Sequence, residues 1–402
     1  MHSESLTGGT AFWIPPVGGG KVDPSAFSAR MTGTFIPETS GLHRVGIVAT
    51  GPVRVLVDGK VVADVWSTWA KGRTFFEEGC DEVVGEVLLE AGRSHAITVE
   101  YAAKQGDNLT FSAFRLGIGR PMGDAEIAEA ARLAAAAETA VVFVGRSGEW
   151  DTEGSDLDGI RLPGRQDELV AAVLAANPRT VVVLQTGGPV EMPWMKDAPA
   201  ILQAWYPGQE CGNAIADVLF GDVNPSGKLS ATFPRSVGQV PIYYAAKNTG
   251  RPLGNKQGNF EKFRSNYLDE RNEPLFPFGF GLSYTAFKYS NLRLSANTMK
   301  SNDKLQAFVD VTNTGNFDGK EVVQLYIRDL VGSVTRPIKE LKGFKKISLK
   351  KGETQTVSFE ITVEDLKFYN SDLQFVAEPG RFQLFIGTNS DTTDKIEFDL
   401  VN

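Results

Sequence analysis

The spacing of apolar residues changes twice along the chain, and these changes limit the folds it can contain. Up to about residue 119, short runs such as LHRVGIVAT and SHAITVEYAA alternate apolar and polar residues, as half-buried strands do. Between residues 120 and 235, uniformly apolar runs such as AVVFVG and TVVVLQTG alternate with amphipathic segments. From residue 276 the alternating pattern returns. The sequence therefore predicts a multi-domain protein that combines all-β parts with an α/β part.

Residues 1–119 are predicted to form an antiparallel β-sandwich or barrel. Asp58-Gly59 stands between two alternating runs and is a strong hairpin signal. The three histidines of the chain all fall in this region, without the spacing of metal ligands, so we predict no metal site.

Residues 120–235 are predicted to form a parallel-sheet α/β/α sandwich. Strands that are apolar throughout indicate a sheet covered by helices on both faces. Asp124 is the predicted N-cap of the helix in DAEIAEAARLAAAAE, and Gly221 the predicted C-cap of the helix in QECGNAIADVLFG. The run GKLSATFP is predicted to be the last strand of this domain.

The remaining residues divide into a loop and a second all-β domain. Residues 236–275 are polar and irregular and are predicted to be a long loop or linker. Residues 276–402 contain short alternating runs separated by turn signals, which predicts an immunoglobulin-like sandwich.

Bulk composition excludes several classes of protein. The net charge of −8 disfavours a nucleic-acid partner, which needs a basic face. No apolar stretch reaches the length of a membrane-spanning helix. Cys80 and Cys211 match no metal-ligand spacing and are predicted to be free thiols. The first residues do not read as a signal peptide, which leaves cytoplasmic, periplasmic and secreted locations all open.

Three carboxylates follow the apolar run AVVFVG, in the segment GEWDTEG. In an open parallel sheet, ligands bind beyond the carboxyl ends of the strands. Glu149, Asp151 and Glu153 would lie at such an end, and Trp150 beside them is suited to stacking on a sugar ring. On the pattern alone, acidic glycine-containing loops at strand ends are more often solvated turns, and a proton-transfer site is the less frequent alternative.

Longer matches give this region a family resemblance. The stretch from VVFVGRSGEWDTEGSD to GKLSATFP resembles the second domain of family 3 glycoside hydrolases of the β-glucosidase type. The segment EPLFPFGFGLSYTAF resembles the opening of the fibronectin-type-III-like domain in that family, and FSARMTGTFIPETSGLHRVGIVATGPVRVLVDG resembles a PA14 domain. Together, the three matched regions cover nearly the whole chain.

The resemblance implies a reaction and a set of residues. Family members are retaining exo-glycosidases that use two carboxylates and no cofactor. Their acid/base pattern falls on Glu153, with Glu149 as second choice, while Trp150 and Asp156 are implied to contact the β-glucoside or oligosaccharide substrate. In the PA14-like part, the loop GRTFFEEGC is expected to cover the leaving-group side, with Phe75 and Phe76 as stacking residues; a hairpin edge packed on its own domain is the alternative.

The resemblance also shows what the chain lacks. The family nucleophile is an aspartate in an SDW-like motif on a (β/α)8 barrel, and neither barrel nor motif occurs in this sequence. The PA14-like and α/β domains also look incomplete at their N-termini. We therefore expect the C-terminal part of such an enzyme, inactive alone, whose partner is a missing barrel or a second copy. The alternatives are a non-catalytic carbohydrate-binding module and a structural fragment.

Overall fold

The computed structural model describes residues 2–104, 111–148, 150–154, 156–252 and 263–402. Two compact units make up the chain. The first contains Met1–Asp158, Pro163–Val183 and Lys196–Ile201; the second contains Gly159–Leu162, Leu184–Met195 and Leu202–Asn402. No helix among the described residues is long and apolar enough to cross a membrane.

The N-terminal region is a sandwich of two four-stranded sheets. Their orders are β1-β8-β3-β6 and β2-β7-β4-β5, and the pairings are antiparallel, as predicted. Inward-facing residues of both sheets, among them Ile47, Val55, Val99, Tyr101 and Phe114, form one buried core. The elements are β1 (Thr10–Trp13), β2 (Ser28–Phe35), β3 (Gly41–Ala49), β4 (Val53–Val57), β5 (Lys60–Asp64), the one-turn segment α1 (Thr74–Glu77), β6 (Val83–Leu89), β7 (His95–Ala102) and β8 (Ser112–Gly119).

The predicted hairpin at Asp58-Gly59 is confirmed. Both residues have positive φ, 48° and 77°, and Val57 pairs with Lys60 across the turn. Two positive φ values in succession are what a tight hairpin turn needs to match the twist of its strands.

The α/β region follows, with a three-stranded sheet of order β11-β10-β9. β9 and β10 are neighbours joined through helix α3, the β-α-β arrangement of a parallel sheet. The elements are α2 (Asp124–Ala136), β9 (Ala140–Gly145), α3 (Gln166–Ala176), β10 (Thr180–Gln185), β11 (Ala200–Gln203) and α4 (Cys211–Phe220).

The helix ends follow capping chemistry, with one correction. Gly221 has φ 84° and ends α4 as predicted. The N-cap of α2 is Gly123 and not Asp124, because the Gly123 N–H donates to Glu126 Oε2 at 3.0 Å. Asp124 is the first residue of the helix itself.

Strand β9 corrects the expectation that helices cover both faces of this sheet. Val142 and Val144 are buried, whereas Val141 and Phe143, which point to the opposite face, are exposed. The sequence of β9 is apolar on both faces, yet one of these faces is exposed to solvent in the part of the chain that the structure describes.

The predicted strand in GKLSATFP is also wrong. This segment forms no strand and hydrogen-bonds with residues 275–281 instead. Leu229 N donates to Phe280 O at 2.8 Å, and Phe233 forms an isolated antiparallel bridge with Phe276. The alternation of apolar residues in it therefore reports this irregular pairing and not a sheet strand.

The C-terminal region is a second β-sandwich, as predicted. Its sheets have the orders β12-β14-β17 and β13-β21-β20-β15-β16, and their inner faces form one apolar core. The elements are β12 (Phe287–Leu294), β13 (Thr298–Lys300), β14 (Leu305–Asn313), β15 (Gly319–Asp329), β16 (Glu340–Leu349), β17 (Thr354–Ile361), α5 (Val363–Leu366), β18 (Phe368–Tyr369), β19 (Phe375–Val376), β20 (Gly380–Gly387) and β21 (Lys395–Val401).

Two buried polar contacts fix the segment before this sandwich within the second unit. Gln324 Nε2 donates to Gly279 O at 3.0 Å. Lys228 Nζ lies 3.1 Å from Glu321 Oε1, which also accepts a hydrogen bond from Tyr289 Oη at 3.0 Å. Gln324 therefore attaches the motif FPFGFG directly to strand β15.

Candidate active site

Glu153 lies on the loop that follows strand β9, at the position where a parallel sheet binds ligands. It is exposed and, with Gly154, Phe76 and Glu77, lines an open cleft of about 540 Å³. All four residues belong to the first unit. No hydrogen bond or ion pair joins the Glu153 carboxylate to another described residue, so it is available to a ligand in the cleft.

Buried polar contacts shape the loop that carries Glu153, which we call the carboxylate loop (residues 147–158). The side chain of Arg146 is buried, and its Nε lies 3.1 Å from Asp151 Oδ1. The backbone N–H groups of Trp150 and Asp151 both donate to Ser147 O, at 2.9 and 3.1 Å. Asp151 is thereby committed to holding the loop, which separates its role from that of Glu153 in the same acidic segment.

Helix α3 fixes the point where the loop leaves the sheet. Gln166, its first residue, accepts a hydrogen bond from Gly145 N at 2.7 Å through Oε1. Its Nε2 donates to Gly145 O at 2.9 Å and to Pro163 O at 3.0 Å. One side chain therefore satisfies both backbone groups of the last residue of β9.

The opposite wall of the cleft is a left-handed turn in the N-terminal sandwich, which we call the aromatic turn (residues 75–77). Phe75, Phe76 and Glu77 have φ values of 51°, 58° and 64°. For residues with a Cβ, each left-handed position costs about 1–2 kcal/mol. Three in succession therefore store strain, and such strain persists only where the surroundings over-determine the conformation.

Contacts on both sides of the aromatic turn hold it in place. Gly72 N donates to Gly79 O at 2.7 Å, and Thr74 Oγ1 donates to Cys80 O at 2.7 Å. Glu78 is buried and lies 2.8 Å from Lys71 Nζ. These contacts close the base of the loop and force its tip outward.

The two phenylalanines of the aromatic turn differ in their surroundings. Phe75 is 8% exposed and packs beside Phe12 and Phe111, with ring centroids 6.3 and 6.5 Å away. Phe76 is 50% exposed and lines the cleft. The sequence predicted both as stacking residues. The prediction is wrong for Phe75, which is buried in the core, and it stays a prediction for Phe76.

An ion pair joins the two loops. Arg73 Nη1 lies 2.7 Å from Asp158 Oδ2. Arg73 directly precedes α1, and Asp158 is the last residue of the carboxylate loop. The hydrogen bond and the charge of Arg73 lower the pKa of Asp158 below its usual value of 3.8, and the pKa of Arg73 is raised in return.

The other predicted site residues lie on the same loop or outside the described part. Trp150 and Asp156 are exposed, with half of the surface of Trp150 open to solvent. Glu149 lies outside the described residues. Within those residues, no group of three or more His, Cys, Asp or Glu side chains could hold a metal ion. Both cysteines are free thiols, as predicted.

Sequence reasoning missed Glu77. The segment GRTFFEEGC contains two adjacent glutamates, and nothing in the pattern tells which is the buried partner of Lys71 and which lines the cleft. The left-handed conformation decides this, and no glycine or asparagine in positions 75–77 signals it.

Comparisons with protein-family models identify the family of the chain. Residues 38–284 match the glycosyl hydrolase family 3 C-terminal domain, and residues 321–390 match a fibronectin type III-like domain. The chain therefore belongs to glycosyl hydrolase family 3.

Particular relatives are similar along almost all of the chain. A beta-glucosidase of Rhizobium radiobacter is 43% identical over 400 residues, which cover 97% of this chain and 48% of the relative. A periplasmic beta-glucosidase of Salmonella typhimurium is 48% identical over 376 residues, covering 90% of this chain and 48% of the relative. The chain spans about half the length of the curated relatives it matches.

Two solved beta-glucosidase structures are also similar to this chain. The beta-glucosidase of Kluyveromyces marxianus in complex with glucose superposes with a TM-score of 0.79 at 34% identity, over 94% of this chain and 45% of that one. The beta-glucosidase of Listeria innocua in complex with glucose gives a TM-score of 0.66 at 37% identity, over 70% of this chain and 39% of that one.

Proposed function

We propose that this chain is the C-terminal part of a retaining exo-β-glycosidase of the β-glucosidase type, and that Glu153 is its general acid/base. The observation that carries the proposal is the placement of Glu153. Its carboxylate is exposed at the end of a strand of the α/β sheet, lines a cleft and is engaged by no other described residue. The relatives that span nearly all of this chain are named beta-glucosidases.

The proposed reaction has two steps. A carboxylate on a segment outside this sequence attacks the anomeric carbon, and Glu153 donates its proton to the glycosidic oxygen as the C–O bond breaks. Glu153 then accepts a proton from water, which attacks the same carbon and releases the sugar with its configuration retained. This needs the two carboxyl groups about 5–5.5 Å apart, so the segment that carries the nucleophile would have to place it in the cleft beside Glu153.

We also propose that the N-terminal sandwich is a PA14-like domain that forms the leaving-group side of the site. Phe76, Glu77 and Glu153 line one cleft within the first unit, which supports this assignment. Trp150 and Asp156 are proposed as further substrate contacts, and Glu149 remains the second choice for the acid/base.

Complementation tests the proposal. We expect no hydrolysis of 4-nitrophenyl β-glucoside by this chain alone. Joining it to the N-terminal half of the Rhizobium radiobacter relative should restore hydrolysis, and Glu153→Ala should abolish it for unactivated glucosides. Azide should then rescue turnover of a 2,4-dinitrophenyl glucoside by Glu153→Ala, because this leaving group needs little protonation and azide needs no general base.

The control and the contrary outcomes are distinct. Glu38→Ala, at an exposed glutamate in the N-terminal sandwich, should hydrolyse at the parental rate. Hydrolysis by the isolated chain would refute the need for a second segment. Sugar binding by this chain without restored hydrolysis would identify a carbohydrate-binding module, and neither activity would identify a structural fragment.

A further inference from the structure

We infer that Gln166 is a positioning residue for the reaction. It bonds to both ends of the chain segment that carries Glu153 and so holds the acid/base in the cleft. Its action is indirect, through the backbone at Gly145 and Pro163. The inference rests on the proposed function, which assigns the acid/base role to Glu153.

The first observation is that one side chain contacts both ends of this segment. Gly145 is the last residue of β9, and Pro163 lies three residues before Gln166, where α3 begins. Gln166 Nε2 donates to Gly145 O at 2.9 Å and to Pro163 O at 3.0 Å, while its Oε1 accepts from Gly145 N at 2.7 Å. Residues 146–162 lie between these two contacts. Glu153 therefore belongs to a segment whose entry and exit are bonded to the same amide.

The second observation is the connection from Gly145 to Glu153. Arg146, which directly follows Gly145, is buried, and its Nε lies 3.1 Å from Asp151 Oδ1. The backbone N–H of Asp151 donates to Ser147 O at 3.1 Å. Asp151 stands two residues before Glu153. A displacement of Gly145 would therefore move Asp151 with it, and the carboxylate of Glu153 would follow.

The third observation is chemical. A glutamine side chain offers one acceptor and two donors at the same end, and all three are used here. A glutamate would offer acceptors only, and a methionine of similar size would offer no donor. Fixing both ends of a loop removes conformations that it would otherwise sample. A catalytic group misplaced by about 1 Å can lose about 10²-fold in rate, so this restriction bears on catalysis.

Asn177 provides a matched control in the same domain. Its Nδ2 donates to Ala134 O and to Ala137 O, both at 2.9 Å, and its Oδ1 accepts from Arg179 N at 2.8 Å. It makes the same three kinds of hydrogen bond as Gln166. However, it lies just beyond the other end of α3, close in sequence to the start of β10, whereas the carboxylate loop follows the end of β9.

The test uses the enzyme in which this chain is joined to the N-terminal half of the Rhizobium radiobacter relative. Gln166→Met should lower kcat/KM for phenyl β-glucoside about tenfold or more, and for 2,4-dinitrophenyl β-glucoside less than about threefold, because the second leaving group needs little protonation. Gln166→Glu, which keeps the size but loses both donors, should show the same difference. Asn177→Leu should lower the melting temperature as well, yet keep the ratio of the two kcat/KM values within about twofold of the parent.

An equal fall for both glucosides in Gln166→Met, or an unchanged kcat/KM for both, would overturn the inference while leaving the role of Glu153 intact. A parental joined enzyme that hydrolyses neither glucoside would instead count against the proposed function. Hydrogen exchange in this chain alone then decides whether Gln166 orders the loop. Gln166→Met should speed exchange in residues 147–158 about tenfold or more, and Asn177→Leu should change it less than about twofold. Equal exchange in the parent and Gln166→Met would reject the positioning role.

Discussion

Arg73 Nη1 lies 2.7 Å from Asp158 Oδ2, so one ion pair connects the loop that carries Phe76 with the loop that carries Glu153. Both side chains are exposed, at 66% and 78%. An exposed pair contributes little to folding, because water solvates both charges and salt screens them. Its role is geometric: it directly links the two loops whose residues line the cleft.

We expect Arg73→Ala to leave the melting temperature close to that of the parent while lowering kcat/KM for cellobiose several-fold in the joined enzyme. High salt should also lower kcat/KM for cellobiose in the parent enzyme, and it should lower this value less in Arg73→Ala. Arg93→Ala, at an exposed pair with Glu90 outside the two loops, is the control. A large loss of stability in Arg73→Ala would contradict the geometric role.

Acid should break the same connection. Because Arg73 holds the pKa of Asp158 below 3.8, the ionised pair is complete above that pH and is lost as the pH falls through the lowered pKa of Asp158. NMR titration of Asp158 in this chain should give a midpoint below 3.8, and Arg73→Ala should raise that midpoint. An unchanged midpoint would show that the pair is not formed in solution.

Two glycines with nearly equal φ values separate backbone strain from close packing. Gly279 has φ 79°, and a Cβ on it would lie 2.0 Å from Gln324 Oε1. Gly352 has φ 77° and open space around it. Both alanine substitutions incur the left-handed cost of about 1–2 kcal/mol, but Gly279→Ala also displaces a buried amide that donates to Gly279 O.

In urea unfolding we therefore expect Gly352→Ala to cost about 1 kcal/mol and Gly279→Ala about 3 kcal/mol or more. Equal losses would mean that Gln324 moves aside without cost.

Breaking the buried pair of Lys228 with Glu321 should lower the free energy of unfolding more than breaking an exposed ion pair. The two side chains are 11% and 3% exposed, so removing one partner leaves an unpaired buried charge. Glu321→Ala should destabilise the second unit by about 3–5 kcal/mol in urea unfolding. Glu360→Ala, which removes an exposed partner of Lys304, should leave the unfolding midpoint nearly unchanged. Similar losses in the two variants would refute this ranking.

Lys339 provides a test at alkaline pH. Burial lowers its pKa to about 8, from 10.5 in an exposed lysine. Between these values the unfolded chain binds more protons than the folded chain, so the free energy of unfolding should rise with pH, by at most about 1.4 kcal/mol per pH unit for one proton. Lys339→Met should remove that contribution, seen as a flatter dependence of the unfolding midpoint on pH from 8 to 10.5. Parallel curves for the parent and Lys339→Met would contradict the lowered pKa.

Local rules were sufficient for much of the fold. The hairpin at Asp58-Gly59 and the helix end at Gly221 depend on backbone conformations that those residue types favour, and both were predictable. Strand β9 shows where such rules stop: its apolar sequence predicts burial on two faces, but exposure of Val141 and Phe143 depends on what packs against them, which no local pattern contains.

The site residues, too, were only partly predictable from the sequence. Glu153 could be named because a motif marks it, whereas Asp151 two residues earlier is similar in sequence and is held by Arg146 instead. Glu77 could not be named, because its orientation comes from a left-handed turn that its own residue types disfavour. Contacts that close the base of the loop, at Gly72 and Glu78, override that preference.

The aromatic turn has a consequence for anyone who improves this protein by selecting heat-resistant variants. Glycine at position 76 or 77 would relax the backbone and raise thermal tolerance, so a screen for robustness alone would favour it. The same change would delete a side chain that lines the cleft of Glu153. At these two positions durability and recognition are opposed, and a screen that scores both is needed to keep the wall of the cleft.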